Sequence, residues 1–156
     1  MNWEIFSAVV EGIGAAAVVA SLVFLGIQVR LQNHERLIAS VHEINEAYRA
    51  SLSSLCDPGL AAVMAKCLEG YDKLAPAEKV QVVAHILGGL KVCEEAFYQH
   101  QQARLDDYYW EGMVQQLRDT MSLVPMTEIW SLRRHQFGED FRSFMDNLST
   151  STKTLW

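Results

Sequence analysis

Few residues in this chain have the type and spacing to do chemistry, and the first set lies in an apolar N-terminal run. Ser7, Glu11, Gly14, Ser21 and Gln28 fall on one heptad row, which Val18 and Leu25 complete. On a helix such a row faces one way. Polar groups in lipid seek a partner, and an acid inside a membrane segment marks a candidate site by default. A second row, Ala8, Gly12, Ala16 and Ala20, puts a small residue at every fourth position. Rows of that kind let two helices approach closely in a bilayer. Together the two rows point to self-association or to docking on another membrane protein. A plainer reading stands beside this one. Gly12 to Ile27 is a run of sixteen uncharged, mostly apolar residues, about 24 Å of helix. Glu11 and Gln28 then reach the two interfaces and need no further role.

The remaining candidates are scattered. His42 and Glu46 are helical neighbours four apart, as are His135 and Glu139, and His34 adjoins Glu35. None completes HExxH, ExxH or a Cys/His cluster. Glu94 and Glu95 precede His100 at a spacing that does not bring all three together, so ion pairs on helix surfaces account for them. There is no GxSxG, no glycine-rich phosphate loop and no nucleophile with an evident base. No catalytic, cofactor-binding or metal-ligating residue is assigned. Tyr98, Tyr108, Tyr109, Trp110 and Trp130 read as core and rim, not as a ligand cage. The three cysteines, Cys56, Cys67 and Cys93, are odd in number and lack CxxC spacing, which suits free thiols in a reducing compartment.

The elements that must position these residues are helical. Only Glu11 carries a charge between Glu4 and Arg30, which leaves the 25 residues from Ile5 to Val29 as one apolar stretch, about 37 Å as a helix. A bilayer core needs about 20 residues, and backbone groups in lipid force the helix. A cleaved secretory signal fits poorly, because the run is long and no Lys or Arg precedes it. No Gly or Pro occurs from Ile27 to Asp57, so the helix is expected to continue as a rod. Its apolar residues there are Leu37, Ile38, Val41, Ile44, Tyr48, Leu52 and Leu55. The polar row continues as Glu35, His42 and Arg49. It lies roughly 200° around the helix from Leu37 and Ile44.

Asp57-Pro58 opens a second helix with Leu60, Val63, Met64, Cys67 and Leu68 on one face, and Gly70 ends it. Tyr71–Ala75 reads as a loop. Pro76 opens a third helix with a stripe of Val83, Ile86, Leu87, Leu90, Cys93 and Phe97. Gly88-Gly89 in its middle points to close helix packing. Asp106-Asp107 starts a fourth helix, with Trp110, Met113, Val114, Leu117 and Met121 inward. Pro125 is expected to break it, and Thr127 to cap a short fifth helix with Ile129, Trp130 and Leu132. Gly138 precedes a last helix with Phe141, Phe144, Met145 and Leu148. The Ser/Thr-rich tail at 149–156 is expected to fray. The fold class is therefore all-α: an N-terminal transmembrane helix at 1–29 and a helical domain at 30–148.

All 13 Lys and Arg follow residue 29, with 17 of the 19 acids, so this domain carries about −4. That excludes a basic nucleic-acid-binding face. Arg30, Arg36 and Arg49 follow the apolar run and none precedes it. The positive-inside rule then puts the domain in the cytoplasm and the N-terminus outside, with Trp3 at the outer headgroups. The expected location is the inner (cytoplasmic) membrane, single-pass, with the lipid bilayer and another copy or another membrane protein as partners.

The chain also resembles a large set of small, uncharacterised bacterial membrane proteins with one N-terminal transmembrane helix and a helical cytoplasmic domain. The residues that carry this are Trp3-Glu4 with the Gly/Ala-rich run, and Leu25-x-x-Gln28-Val29-Arg30. Ala96-Phe97-Tyr98-Gln99-His100, Leu105-Asp106, Trp110-Glu111, Trp130 and the segment Phe137 to Phe144 complete the pattern. The resemblance spans almost the whole chain and implies a membrane-tethered helical domain. It assigns no activity and no catalytic residue. Three function classes remain in view. The leading one is a non-enzymatic, membrane-anchored interaction or regulatory module. The others are a homo-oligomeric channel or pore component with the Glu11 row around its axis, and an enzyme with an unrecognised helical active site.

Overall fold

The structure, a computed structural model, describes residues 3–148, apart from the side chains of residues 4–10, His34 and Val124. The expected tail, 149–156, lies outside them, as do the side chains of Ser7 and Ala8. The described residues are all-α, with six helices and no strand. By their internal contacts the residues divide into two units between Ala39 and Ser40.

α1 runs from Trp3 to Ser54 without interruption, as expected where no Gly or Pro occurs after Gly26. In the first unit every described side chain from Glu11 to Asn33 is exposed. One stretch of α1 is long and apolar enough to cross a membrane, and none of it is buried.

The second unit begins with the last turns of α1. There Ile44 is only 2% exposed, and Val41, Tyr48 and Leu55 are half-buried, while His42 and Arg49 are exposed. The apolar row separates from the polar one only in part: Leu52 is exposed too, and in the first unit so is Ile38, like Glu35. The Tyr109 hydroxyl donates to Asn45 Oδ1 at 2.7 Å. α2 (Pro58–Glu69) starts where Asp57 Oδ1 accepts the Leu60 N–H at 2.9 Å. It ends at Gly70, whose φ of 154° no side chain tolerates well; a Cβ there would meet Asp72 Oδ1 at 2.6 Å. The segment after Gly70 is a 3-10 turn, Tyr71–Lys73, and not the open loop its residues suggest. The turn tucks Leu74 into the core.

α3 (Pro76–Gln101) opens with Glu78 Oε2 accepting the Ala75 N–H at 2.7 Å and the Lys66 ammonium at 2.6 Å. Those two donors, Lys66 the stronger, hold the Glu78 carboxyl below its ordinary value. The buried seam of α3 is Val82, Ile86, Leu90, Cys93, Ala96 and Phe97. Val82 and Ala96 are fully enclosed although the expected stripe omits them, and Val83 and Leu87 are half-buried. The reason is that α3 packs on both α2 and α4, which widens its apolar face beyond one three-four row.

α4 (Asp107–Met121) is capped by Asp106, whose Oδ1 accepts the Tyr108 N–H at 2.9 Å. It buries Trp110, Met113, Leu117 and Met121. α4 ends before Pro125, as expected, but α5 (Val124–Arg133) begins earlier than a cap at Thr127 implies. Pro125 lies in the first turn of α5, where its fixed φ and missing N–H cost nothing. Thr127 is inside that turn, not its cap, and Leu123 is the N-cap. The inward residues are Met126, Ile129 and Trp130, while Leu132 is exposed. A second 3-10 turn, Arg134–Gln136, leads to α6 (Glu139–Asp146).

Two backbone positions work against their residue types. Gly88 lies inside α3 with nothing within 4 Å of where a Cβ would stand. Ala103 ends α3 with φ 53°. Its N–H bonds to His100 O at 2.9 Å, and the Arg104 N–H to Gln99 O at 2.8 Å. This is the hydrogen-bond pattern of a Schellman cap, a position that favours glycine. Gly88→Ala and Ala103→Gly should therefore each stabilise the protein, by about 0.5–1 kcal/mol. Thermal unfolding of each variant beside the parent checks this; a lower midpoint for either contradicts it.

Candidate functional site

The rows read from the sequence occupy the first unit. Glu11, Gly14, Ser21 and Gln28 are all exposed, as are Gly12, Ala16 and Ala20. A Cβ on Gly12 or Gly14 would meet nothing within 4 Å. The Ser21 hydroxyl donates to Ala17 O at 2.8 Å. One member of the polar row therefore satisfies its donor within its own turn, which removes its need for a partner helix.

The scattered acid and histidine candidates do not converge. His42, Glu46, His135 and Glu139 are exposed. Glu95 accepts from Gln99 Nε2 at 3.0 Å. His100 faces elsewhere: its Nε2 is 3.8 Å from Asp107 Oδ1 and its ring centroid is 5.1 Å from that of Trp110. Glu94 has a structural task that local spacing does not reveal. Its Oε1 accepts the Gly138 N–H at 2.7 Å, capping α6 from α3, and its Oε2 accepts Lys91 Nζ at 2.7 Å. Lys91 also donates to Gln136 O at 2.9 Å and lies 4.3 Å from the centroid of the Phe137 ring. Among the described residues no group of three His, Cys, Asp or Glu side chains is placed to hold a metal.

The second unit contains a cavity of about 210 Å³. The end of α1 supplies Tyr48 and Ser51, α2 supplies Met64, and α3 supplies His85, Gly89 and Cys93. α4 supplies Met113 and Met121, and α5 supplies Met126. Four of the six methionines of the chain thus face one space. No Asp, Glu, Lys or Arg lines it. The polar groups on its wall are neutral. Ser54 Oγ lies 2.7 Å from Ser51 O and 3.0 Å from His85 Nδ1. A hydroxyl has one proton, and with that proton given to Ser51 O, His85 Nδ1 carries the hydrogen and donates. Burial lowers the His85 pKa from its ordinary value, which favours this neutral imidazole.

Burial pushes the Cys93 thiol up to about 12. It also raises Tyr48, with Cys93 adding to the effect, and raises Tyr109, with Tyr48 adding. A thiol held protonated is a poor nucleophile. The wall of the cavity is thus mainly apolar, with neutral polar groups at a few positions. Its wall comes from five helices, and none of its members stands out by spacing; the excess of methionine was the one available signal.

Comparison of the chain with protein-family models, with curated proteins and with solved structures gave no significant match.

The buried thiol has a consequence for stability. An unfolded cysteine loses its proton near 9.0, whereas Cys93 keeps it to about 12. Between these values the unfolded chain binds fewer protons than the native one, so stability falls as pH rises. The raised values of Cys67, Tyr48 and Tyr109 act in the same direction. Below about pH 9 the stabilising contribution is fully present. Denaturant unfolding across the alkaline range should show this loss, and Cys93→Ala should flatten the slope while lowering the plateau. A slope identical in the variant would refute the assignment.

Proposed function

We propose that this protein is a non-enzymatic, single-pass membrane module: α1 anchors it in the inner membrane, and the helical second unit, on the cytoplasmic side, serves interaction or regulation. The observation that carries this reading is the exposure of the apolar part of α1. Ile13, Val18, Val19, Leu22, Val23, Phe24, Leu25 and Ile27 are each more than half exposed. In water that surface would exceed what a monomeric soluble protein tolerates; in a bilayer it is the matched solvent. The arginines at positions 30, 36 and 49 support a cytoplasmic second unit. The small-residue row at Gly12, Ala16 and Ala20 offers a face for another copy or another membrane helix, and the Ser21 bond to Ala17 O makes a pure anchor sufficient.

Cell fractionation tests the reading. The full chain should stay with the membranes through an alkaline carbonate wash. A chain lacking residues 1–39 should appear in the soluble fraction with helical circular dichroism. Release of the full chain by carbonate, or membrane retention of the shortened chain, contradicts the proposal.

A further inference from the structure

The geometry points to the cavity in the second unit as a binding site for a small, uncharged, apolar molecule about the size of a substituted benzene. The space is a concave pocket open at one rim, lined mostly by apolar side chains from five helices. At about 210 Å³ this space exceeds the dry, hydrocarbon-lined cavity of about 150 Å³ that is known to hold benzene. The comparison cavity was engineered, whereas this one is built into the native packing.

The wall selects the chemistry of the occupant. With no charged side chain on it, an anion or cation would enter without a counter-charge, at a prohibitive desolvation cost. Met64, Met113, Met121 and Met126 supply polarizable, unbranched side chains that adapt to different shapes and favour contact with aromatic rings. Gln116 and Thr120 add neutral polar groups, so one hydroxyl or carbonyl on the ligand can be matched. Access is provided at the rim, where Leu52 and Gln116 are exposed. The site lies wholly within the second unit and does not depend on how α1 meets the membrane.

Two neighbouring glycines make the inference testable. Gly89 lines the cavity, and a Cβ there would make ordinary contact with Ser51 Oγ at 3.7 Å. Gly88 is exposed, with open space above it, and does not line the cavity. Gly89→Leu should fill the space, while Gly88→Leu gives α3 the same gain in helix propensity and leaves the space open.

The full chain, labelled with ¹³C at its methionine methyl groups and held in lipid nanodiscs, is titrated with toluene and separately with benzoate. Toluene should shift the methyl signals of Met64, Met113, Met121 and Met126 saturably and leave Met145, buried elsewhere in the core, in place. Benzoate should shift none of them. Gly89→Leu should weaken the toluene response at least about tenfold, and Gly88→Leu should keep it. The proposal is overturned if no signal moves, if Met145 moves in step with the other four, if benzoate works as well as toluene, or if Gly89→Leu responds like the parent. Should Gly89→Leu fail to fold, the Met145 and benzoate comparisons on the parent chain still decide. Broadening of the four methyls by a doxyl-labelled phospholipid, without toluene, would make a lipid tail the occupant and sink the free small molecule.

Discussion

Phe97 meets Trp110, Phe141 and Phe144 with ring centroids 5.9, 5.6 and 5.1 Å away, and the closure of the helical domain depends on that meeting. The three partners come from α4 and α6, so one residue of α3 gathers two other helices. Trp130 of α5 joins through Phe137 and Phe141, at 5.2 and 6.1 Å. Such pairs contribute about 0.5–1.5 kcal/mol each beyond the area they bury. α6 has only eight residues, too few to persist alone in water. Its place is set by Phe141, which is fully buried, and by Met145 beside it.

Around this apolar junction several polar groups are paired across helices, while His100 Nδ1 and Arg142 Nε are buried without a hydrogen bond. The Trp130 indole N–H donates to Asp146 Oδ1 at 3.1 Å, and Arg134 pairs with the other oxygen of the same carboxylate. Glu94 accepts the Gly138 N–H at the start of α6, the role an N3 Glu plays in a capping box and Phe141 at that position cannot fill. Lys91 bridges Glu94 and the Gln136 carbonyl while covering the Phe137 ring. The Glu94–Lys91–Gly138 arrangement is thus a cap built from tertiary contacts, reaching across 44 positions of sequence.

The same helix, α3, has two unlike environments along its length. Near Phe97 rigid rings fill the space. Nearer Ile86, Gly89 and Cys93 the neighbours are thioethers and a glycine, and there the packing leaves the cavity. Rings have few rotamers and fix one arrangement. Methionines have several and leave a volume that can be filled in more than one way. α1 shows a comparable contrast: its described apolar residues before Asn33 are all exposed, whereas in the second unit Ile44 is enclosed and Leu52 is the exposed large apolar residue of the same helix. Its amino-acid pattern changes from uniformly apolar to amphipathic where its surroundings change from none to a packed core.

Helix type, most helix limits and the apolar run were legible from residues alone, because caps, prolines and three-four periodicity act within one or two turns. Asp57-Pro58, Gly70, Pro76 and Asp106 delimit helices as their types require. Pro125 and Thr127 suggest the end of the fourth helix and the cap of the next; the fourth helix does end before Pro125, at Met121, but Pro125 itself lies in the first turn of α5, a position proline fills equally well. Val82, Ala96 and Leu74 entered the core because two helices or a tight turn close over them, which no single-helix periodicity encodes. The cap from Glu94 and the methionine-lined cavity were decided by tertiary structure alone. Both join residues tens of positions apart, and contacts at that range arise from how helix faces pack and not from the order of residues along any one of them.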